Sequence, residues 1–347
     1  MEEFLKVVQC PYCQGEIKIV GDGWRCFNCS RVWSVDSDGI IRLREDNVFF
    51  GNNQEEMNVL LSEIRKILSW QKFKEKISEL EKKYSDFNYD YCLNPKRADW
   101  TFIGNFSDKI IVDLGAGYGS CSIPIAKKSK LVIPVEACLE RIKFLSLIAK
   151  LKNIQNILPI HGDVINLPFK KNSIDSFIMI GLLEYFSNKQ EQFLNYLRQF
   201  LKPEGEVWVG IENKLSPVHF FGGTYHESEL PFEPLLPRLF AGLLHRIVRG
   251  KPLETQLRTK AGYSSLLKRI GFKDIEFYYV FPNYKNIKFI SSSDKTKIIS
   301  NYLERRKWER GGIKTRIGTK AIRMLDKLNL AGFFAPSFFI RAKKSVR

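Results

Sequence analysis

A glycine-rich turn between an apolar strand and a helix constrains the fold of this chain more than any other feature. Residues 109–128 read KIIVDLGAGYGSCSIPIAKK, so that Asp113 and glycines at 115, 117 and 119 follow the strand. Glycines at such a turn let the backbone approach a ligand, and the helix N-terminus beyond favours polar or anionic groups. The spacing does not fit the dinucleotide fingerprint GxGxxG, which needs glycine or alanine where Ser120 stands.

Acidic residues follow the next two predicted strands. Residues 131–137 (LVIPVEA) form a strand ending at Glu136, whose carboxylate can accept hydrogen bonds from both hydroxyls of a ribose. A third strand is predicted over 156–160 and is followed by Asp163 and Val164. A fourth is predicted over 174–180, before Gly181, and a fifth over 205–211. This order predicts a nucleotide-like ligand at the carboxyl edge of a parallel α/β sheet.

The DxGxGxG turn and the two acids resemble those of class I methyltransferases that use S-adenosylmethionine (SAM). The resemblance implies an α/β fold with a Rossmann-like sheet of seven strands, the last one antiparallel and predicted at 337–344. It also implies that Asp163 contacts the adenine amino group and that Val164 packs on the ring. The cofactor-binding residues expected from it are Asp113, Gly115, Ala116, Gly117, Gly119, Glu136, Asp163, Val164 and Gly181.

Four of the seven cysteines form two close pairs, Cys10 with Cys13 and Cys26 with Cys29. This spacing predicts a tetrahedral Zn(II) site with four thiolate ligands, which is closed and therefore structural. Residues 31–43 alternate apolar and polar side chains and predict a hairpin that turns at 38–39. The segment from 10 to 43 resembles the small zinc ribbons that often precede or partner a methyltransferase.

The expected organisation has three parts. Residues 1–46 form the zinc ribbon, and residues 47–105 a linking region with one amphipathic helix, since apolar residues repeat at helical spacing from 57 to 84. Residues 106–347 form the SAM methyltransferase domain, with a basic helical insertion at about 213–335. The N-terminus lacks the features of a signal peptide, and no apolar run reaches the length of a membrane span. These features predict a cytoplasmic protein.

The formal charge of +17 has one origin, because residues 213–347 contain 27 basic and 10 acidic residues. Such a field implies an anionic partner: nucleic acid, an acidic membrane surface or a phosphorylated substrate. Residues 234–251 predict a basic amphipathic helix. Its apolar face either lies in a bilayer interface, which would add a peripheral membrane location, or packs as a lid or dimer contact.

The segments after the fifth strand resemble methyltransferases encoded among surface-polysaccharide genes. This resemblance implies a hydroxyl of a sugar or glycan as the acceptor, a lipid-linked one included. His226 is then the expected general base, with Glu212 or Glu184 as the alternative. The residues GLLEY at 181–185 lack the Asn-Pro-Pro-Tyr signature of enzymes that methylate amino groups of nucleic acids.

Two other classes of function stay open. The first is an RNA methyltransferase, acting on rRNA or tRNA, in which the zinc ribbon and the basic C-terminal third, with Tyr302 and Trp308 for stacking, bind RNA. The acidic ribbon region, net −2 over residues 1–105 from 15 basic and 17 acidic residues, favours the glycan acceptor. The second is a non-catalytic scaffold with a SAM-binding fold, which the complete set of cofactor positions disfavours.

Overall fold

The structure is a computed structural model that describes residues 2–21, 23–49, 51–224 and 230–292, and near the C-terminus residues 320, 324, 327–328 and 330–345. The chain divides into two compact units. Apart from two terminal residues, the first unit comprises Met1–Met179 and Tyr196–Glu206, and the second comprises Ile180–Asn195 and Val207–Ser345. The expected domain boundaries near 46 and 105 stay predictions.

The chain begins with helix α1 (Glu2–Val7) and a small antiparallel sheet of β1 (Ile17–Val20), β2 (Gly23–Cys26) and β3 (Val32–Ser34), in that order. Trp24 of β2 is buried and lies against Phe4 of α1, with 4.6 Å between the ring centroids. Burial of these two rings gives the small sheet an apolar contact on one side.

Strand β4 (Ile41–Arg42) departs from the hairpin predicted over 31–43. The turn is present, since the Asp36 carboxylate accepts the amides of Asp38 and Ile40, but the hairpin is reduced to one bridge between Val35 and Ile41. Strand β4 pairs in parallel with β7 (Ile160–His161) of the large sheet instead. Ile41 is buried there, which explains why the segment leaves the ribbon.

The linking region has two helices in the stretch where the sequence predicted one amphipathic helix. They are α2 (Gln54–Arg65) and α3 (Trp70–Lys83), followed by α4 (Tyr89–Cys92) and a 3₁₀ helix (Pro95–Ile103). The break falls at Ser69, which is extended and whose hydroxyl accepts the Lys72 amide, so that a new helix begins there. Apolar residues of both helices, including Leu60 and Phe73, pack in one buried cluster with Phe144 and Ile148.

The first unit contains the parallel part of the large sheet. Strands β5 (Ile110–Leu114) and β6 (Leu131–Glu136) are buried along their whole length, as expected when helices cover both faces. With β7 and β8 (Ile174–Ile180) they run in the order β4-β7-β6-β5-β8. Helices α5 (Ser122–Ala126) and α6 (Leu139–Leu151) follow β5 and β6.

Strand β9 (Leu201–Glu212) follows α7 (Gln190–Arg198) and has residues in both units. The second unit adds an antiparallel group in the order β11-β10-β12, formed by β10 (Phe272–Asn283), β11 (Asn286–Ser292) and β12 (Ser337–Lys344). Its described helices are α8 (Pro217–Phe220), α9 (Arg238–Arg249), α10 (Lys260–Ile270) and 3₁₀ helices at Leu183–Lys189, Glu233–Leu235 and Ala331–Phe334.

The fold is therefore a mixed α/β fold of Rossmann-like type with an antiparallel last strand, as the sequence predicted, beside a small three-stranded unit. Among the described residues the large sheet has nine strands, two more than the seven predicted. The additional strands are β4 and β11, of which β11 forms a hairpin with β10 around Asn283, whose side chain accepts the amides of Lys285 and Asn286. Within the described part of the chain, no helix has the length and apolarity that a membrane span requires.

Candidate functional site

The four cysteines of the ribbon converge on one point. Their sulfur atoms all lie within 4.8 Å of one another, with 3.7 Å between Cys10 and Cys29 and 3.4 Å between Cys13 and Cys26. A tetrahedron of sulfurs around Zn(II) with bonds of about 2.3 Å has edges of roughly 3.8 Å. The donor set therefore fits a tetrathiolate zinc site, and it leaves no ligand position open for catalysis.

Backbone amides support the sulfur atoms. The Cys26 sulfur accepts the amides of Asn28 and Cys29, and the Gly15 amide lowers the pKa of the Cys13 thiol to about 6. Gly15 also has no room for a side chain, because a Cβ atom there would lie 2.4 Å from Cβ of Asn28 and 3.1 Å from the Cys26 sulfur. The Gly15 amide thus favours the thiolate of Cys13, the form that binds metal, whereas burial raises the pKa of the Cys10 thiol to about 12.

The glycine turn after β5 has the backbone conformation that its sequence predicted. Gly115, Gly117 and Gly119 have φ angles of 66°, 54° and 86°, a region that favours glycine. A Cβ at Gly119 would meet the Leu145 side chain at 2.6 Å, whereas nothing lies within 4 Å of a Cβ at Gly117. Gly119 therefore packs against the protein, and Gly117 leaves open space in which a ligand can approach the backbone.

Glu136 stands at the end of β6 and is oriented by two backbone donors. Its carboxylate accepts the Gly117 amide at 2.8 Å and the Cys138 amide at 2.9 Å. Two charge-assisted bonds hold the group in one orientation while a carboxylate offers about four acceptor sites. The remaining acceptor positions suit a pair of vicinal hydroxyl groups.

Asp113 lies deeper than its place in the motif suggested. Its side chain is buried and accepts a hydrogen bond from the Ser122 hydroxyl at the start of α5. Burial raises the pKa of Asp113 to about 7, and the charge of Glu136 acts in the same direction. These contacts make Asp113 a support for the turn. Ala116 is also buried and packs in a cluster with Ile40, Ile142 and Leu145.

Asp163 and Val164 follow β7, next to β6 in the sheet, and both are partly exposed. One Asp163 oxygen accepts the Ile165 amide at 3.1 Å, and the Arg44 guanidinium lies 3.8 Å from the other. The glycine turn, Glu136 and Asp163 thus stand at the carboxyl ends of three neighbouring parallel strands. Ligands of open α/β sheets bind at this edge.

The neighbouring His161 is a structural residue. It is fully buried, its Nε2 lies 3.0 Å from the Ala137 carbonyl, and its Nδ1 lies 3.1 Å from Nε of Arg42. Burial, which the charge of Arg42 reinforces, lowers the pKa of this imidazole. The ring is therefore neutral, donates through Nε2 and accepts from Arg42 through Nδ1, which ties β4 to the strand before Asp163.

A groove that the sequence did not predict runs beside Asp163. Its volume is about 890 Å³, and residues of the ribbon and of the loop after β7 line it. The Tyr12 and Trp33 rings are parallel, 6° apart in plane with centroids 6.5 Å apart, and the Arg31 guanidinium lies 3.7 Å from the Tyr12 centroid. These residues come together only through contacts across the folded ribbon, so no sequence motif predicted the groove.

The second unit contains the other predicted residues. Gly181 has a φ angle of 70°, and a Cβ there would lie 2.7 Å from the Tyr284 hydroxyl. Glu184 is completely buried, and Glu212 is partly buried at the end of β9. Burial raises the pKa of Tyr263 above its ordinary range, and the charges of Glu184 and Glu212 add to this rise. His226 lies outside the described residues, as do Tyr302 and Trp308.

His219 is a further titratable group, which the sequence did not single out. Its side chain is buried, and hydrogen bonding with the backbone at Gly223 and Asn213 favours its protonated form. Burial lowers the pKa of this imidazole, so it is neutral at pH 7 and can accept a proton. Its position in α8, beyond β9, gave no periodic or spacing signal.

Part of this chain matches a known protein family. Residues 111–205 match the model of a family described as "Methyltransferase domain". A curated relative, tRNA(Phe) (4-demethylwyosine(37)-C(7)) aminocarboxypropyltransferase of Methanocaldococcus jannaschii, is 30% identical over 114 residues. The match covers 32% of this chain and 43% of the relative, so the chain spans less than half the length of that protein.

Solved structures also match at low similarity. Phosphoethanolamine N-methyltransferase 2 of Haemonchus contortus in complex with S-adenosyl-L-methionine is 15% identical, with a TM-score of 0.43, 72% of this chain and 52% of that chain covered. The YcgJ protein of Bacillus subtilis is 15% identical, with a TM-score of 0.42 and coverages of 73% and 99%. The family match covers the residues that contain the glycine turn, Glu136 and Asp163.

Proposed function

We propose that the chain transfers the methyl group of SAM to a hydroxyl of a sugar or glycan, including a lipid-linked one. The observation that supports SAM binding is the edge formed by the glycine turn, Glu136 and Asp163 at three neighbouring strand ends. When bound, SAM would supply an electrophilic methyl group on a sulfonium.

Several residues of the first unit would bind different parts of SAM. The open space at Gly117 admits the ligand close to the backbone, and the oriented Glu136 carboxylate accepts hydrogen bonds from the ribose hydroxyls. The second Asp163 oxygen, which lies 3.8 Å from the Arg44 guanidinium, would accept a hydrogen bond from the adenine amino group, with Val164 as an apolar contact. Asp113 acts only indirectly, because its carboxyl group supports the turn through Ser122.

Methylation of a hydroxyl benefits from a positioned base that takes the proton. Glu212 is the strongest candidate among the described residues, because it is partly exposed at the end of β9 whereas Glu184 is completely buried. His226 remains a candidate, and the buried, neutral His219 is an additional one. We assign the base to Glu212 and regard Glu184 as a group that shapes the electrostatics around Tyr263.

RNA is the second candidate acceptor, and two observations favour it. The curated relative carries tRNA in its name, and the groove of the ribbon presents Tyr12, Trp33 and Arg31, which are residues that stack on nucleobases. The groove also contains Glu45, Asp46 and Asp163 beside its arginines, which disfavours a polyanion. We therefore place the glycan acceptor first.

The test is transfer of radioactive methyl from labelled SAM to two acceptor pools, a lipid-linked oligosaccharide fraction and total RNA. We expect label in the oligosaccharide fraction, and a kcat about 100-fold or more lower for Glu212→Gln with SAM affinity unchanged. Glu204→Gln is the matched control, an exposed residue of the same strand. Label in RNA alone would overturn the glycan acceptor, and full activity of Glu212→Gln would overturn the assignment of the base.

A further inference from the structure

Helix α9 turns its apolar stripe to solvent. Leu239, Leu243 and Ile247 follow one another at intervals of four residues, and Leu239 and Ile247 are 87% and 73% exposed. Phe240 and Leu243 are exposed as well. At 100° per residue these side chains share one side of the helix. A monomeric soluble protein normally buries such a stripe, so the exposed face requires a partner.

The orientation of α9 is fixed by contacts on its opposite side. Ala241 and His245 are buried, and they lie about 180° around the helix from the exposed stripe. At the start of the helix the Arg238 guanidinium donates to the Leu253 carbonyl at 2.7 Å, to the Ser187 hydroxyl at 2.6 Å and to the Thr255 carbonyl. At its end His245 Nδ1 lies 2.9 Å from the Lys251 carbonyl. The apolar stripe is therefore held outward.

The charged residues of α9, and those between Glu233 and Glu254 along the chain, are all basic. Residues 234–253 contain no acidic residue, and the exposed basic side chains Arg246, Arg249 and Lys251 lie at the C-terminal end of α9. Phe232, which precedes the helix, is exposed too. An outward apolar stripe with cations beside it complements a surface that offers both hydrocarbon and negative charge. An anionic lipid bilayer offers both within a few ångströms.

We propose that α9 lies in the interface of an anionic bilayer, with Leu239, Phe240, Leu243 and Ile247 among the acyl chains and Arg246, Arg249 and Lys251 at the headgroups. The helix is parallel to the membrane plane and does not cross it, since 12 residues span only about 18 Å. This interaction is independent of SAM and of the acceptor. It places the second unit, which contains Glu212, at the surface where a lipid-linked acceptor resides.

The test is flotation of the full chain with vesicles of phosphatidylcholine alone and of phosphatidylcholine with phosphatidylglycerol, without SAM or acceptor. We expect binding to the anionic vesicles only. The double variant Leu239→Ser with Ile247→Ser should bind about tenfold or more weakly, because two apolar contacts are removed. Arg246→Gln with Arg249→Gln should show a loss of similar size and a weaker dependence on salt. Leu68→Ser, an 83% exposed leucine of the first unit, is the matched control and should bind like the wild type.

Three results would overturn the proposal. The first is no binding to anionic vesicles. The second is binding that both double variants leave unchanged. The third is a stable dimer in light scattering that Leu239→Ser with Ile247→Ser converts to a monomer, together with no vesicle binding, since a second copy of the chain would then cover the stripe. None of these results depends on methyl transfer, so each is distinguishable from a failure of the proposed function.

Discussion

Helix α6 of the first unit and helix α9 of the second have nearly the same length, 13 and 12 residues, but use apolar side chains in opposite ways. Eight residues of α6 are buried, including Phe144, Leu145 and Ile148. In α9 only Ala241 and His245 are buried, although leucine, isoleucine, valine and phenylalanine make up half of the helix. Helix α6 therefore belongs to the core next to the glycine turn and Glu136. Helix α9 exposes its apolar residues, where they can contact another molecule.

An apolar pattern in the sequence identifies which residues share a face of a helix, but it does not identify what covers that face. The pattern at 234–251 predicts a helix, and helix α9 is present there. The covering partner depends on tertiary contacts, such as the bonds of Arg238 that fix the rotation of α9.

Loss of one zinc ligand should have the largest effect. Cys26→Ser removes a buried sulfur from the cluster, and structural zinc contributes on the order of 10 kcal/mol to small metal-bound folds. We expect metal analysis to show about one zinc ion per chain in the wild type and almost none in the variant. Cys92→Ser, at a buried cysteine outside the cluster, should keep the metal. Full zinc content in Cys26→Ser would remove the tetrathiolate site.

A matched pair of leucines tests the contrast between α6 and α9 directly. Leu145→Ala leaves a cavity beside Gly119 and should lower the free energy of unfolding by about 2–5 kcal/mol. Leu243→Ala removes an exposed side chain and should change it by less than about 0.5 kcal/mol. Urea denaturation of both variants measures the difference. Equal losses would mean that the face of α9 is covered by protein in solution.

Asp113 should make stability depend on pH in a direction opposite to that of most carboxylates. Its pKa rises from an ordinary value of 3.8 to about 7 on burial, so the folded state binds the proton more tightly than the unfolded state. The free energy of unfolding should therefore fall as pH rises from about 4 to about 7 and stay level above. Asp113→Asn should abolish this fall, which we expect to be about 1–4 kcal/mol. Denaturation at pH 5 and pH 8 measures it, and the same slope in both proteins would contradict the assignment.

Much of the fold followed from local patterns. The predicted bounds of β8 and β12 agree with the structure, because each contains a short apolar stretch, FIMI in β8 and FFI in β12. The third strand was predicted to begin at 156 but starts at Ile160, since Pro159 has no amide to donate and only a bridge between Val132 and Ile157 precedes it. Strand β4 could not be predicted, because two residues give no periodicity and their partner lies more than 100 residues away.

The candidate site also contains features that the sequence predicted and features that it did not. The glycine turn and Glu136 were predictable because a positive φ and a strand end need particular residues at fixed spacing. The depth of Asp113, the burial of Glu184 and the stacked rings of the groove were not, because each depends on side-chain packing across the chain. Residues that act on an acceptor have no fixed spacing from the cofactor motif, so their assignment needs chemical tests.

The central claim is that Glu136 and the glycine turn hold SAM, and calorimetry of SAM binding tests it most directly. We expect the wild type to bind SAM, and Glu136→Gln to bind it about tenfold or more weakly while its thermal unfolding stays cooperative, because a charged acceptor is lost. Glu204→Gln, at an exposed position of β9, should bind like the wild type. No binding by the wild type, or equal affinity in Glu136→Gln, would contradict the account.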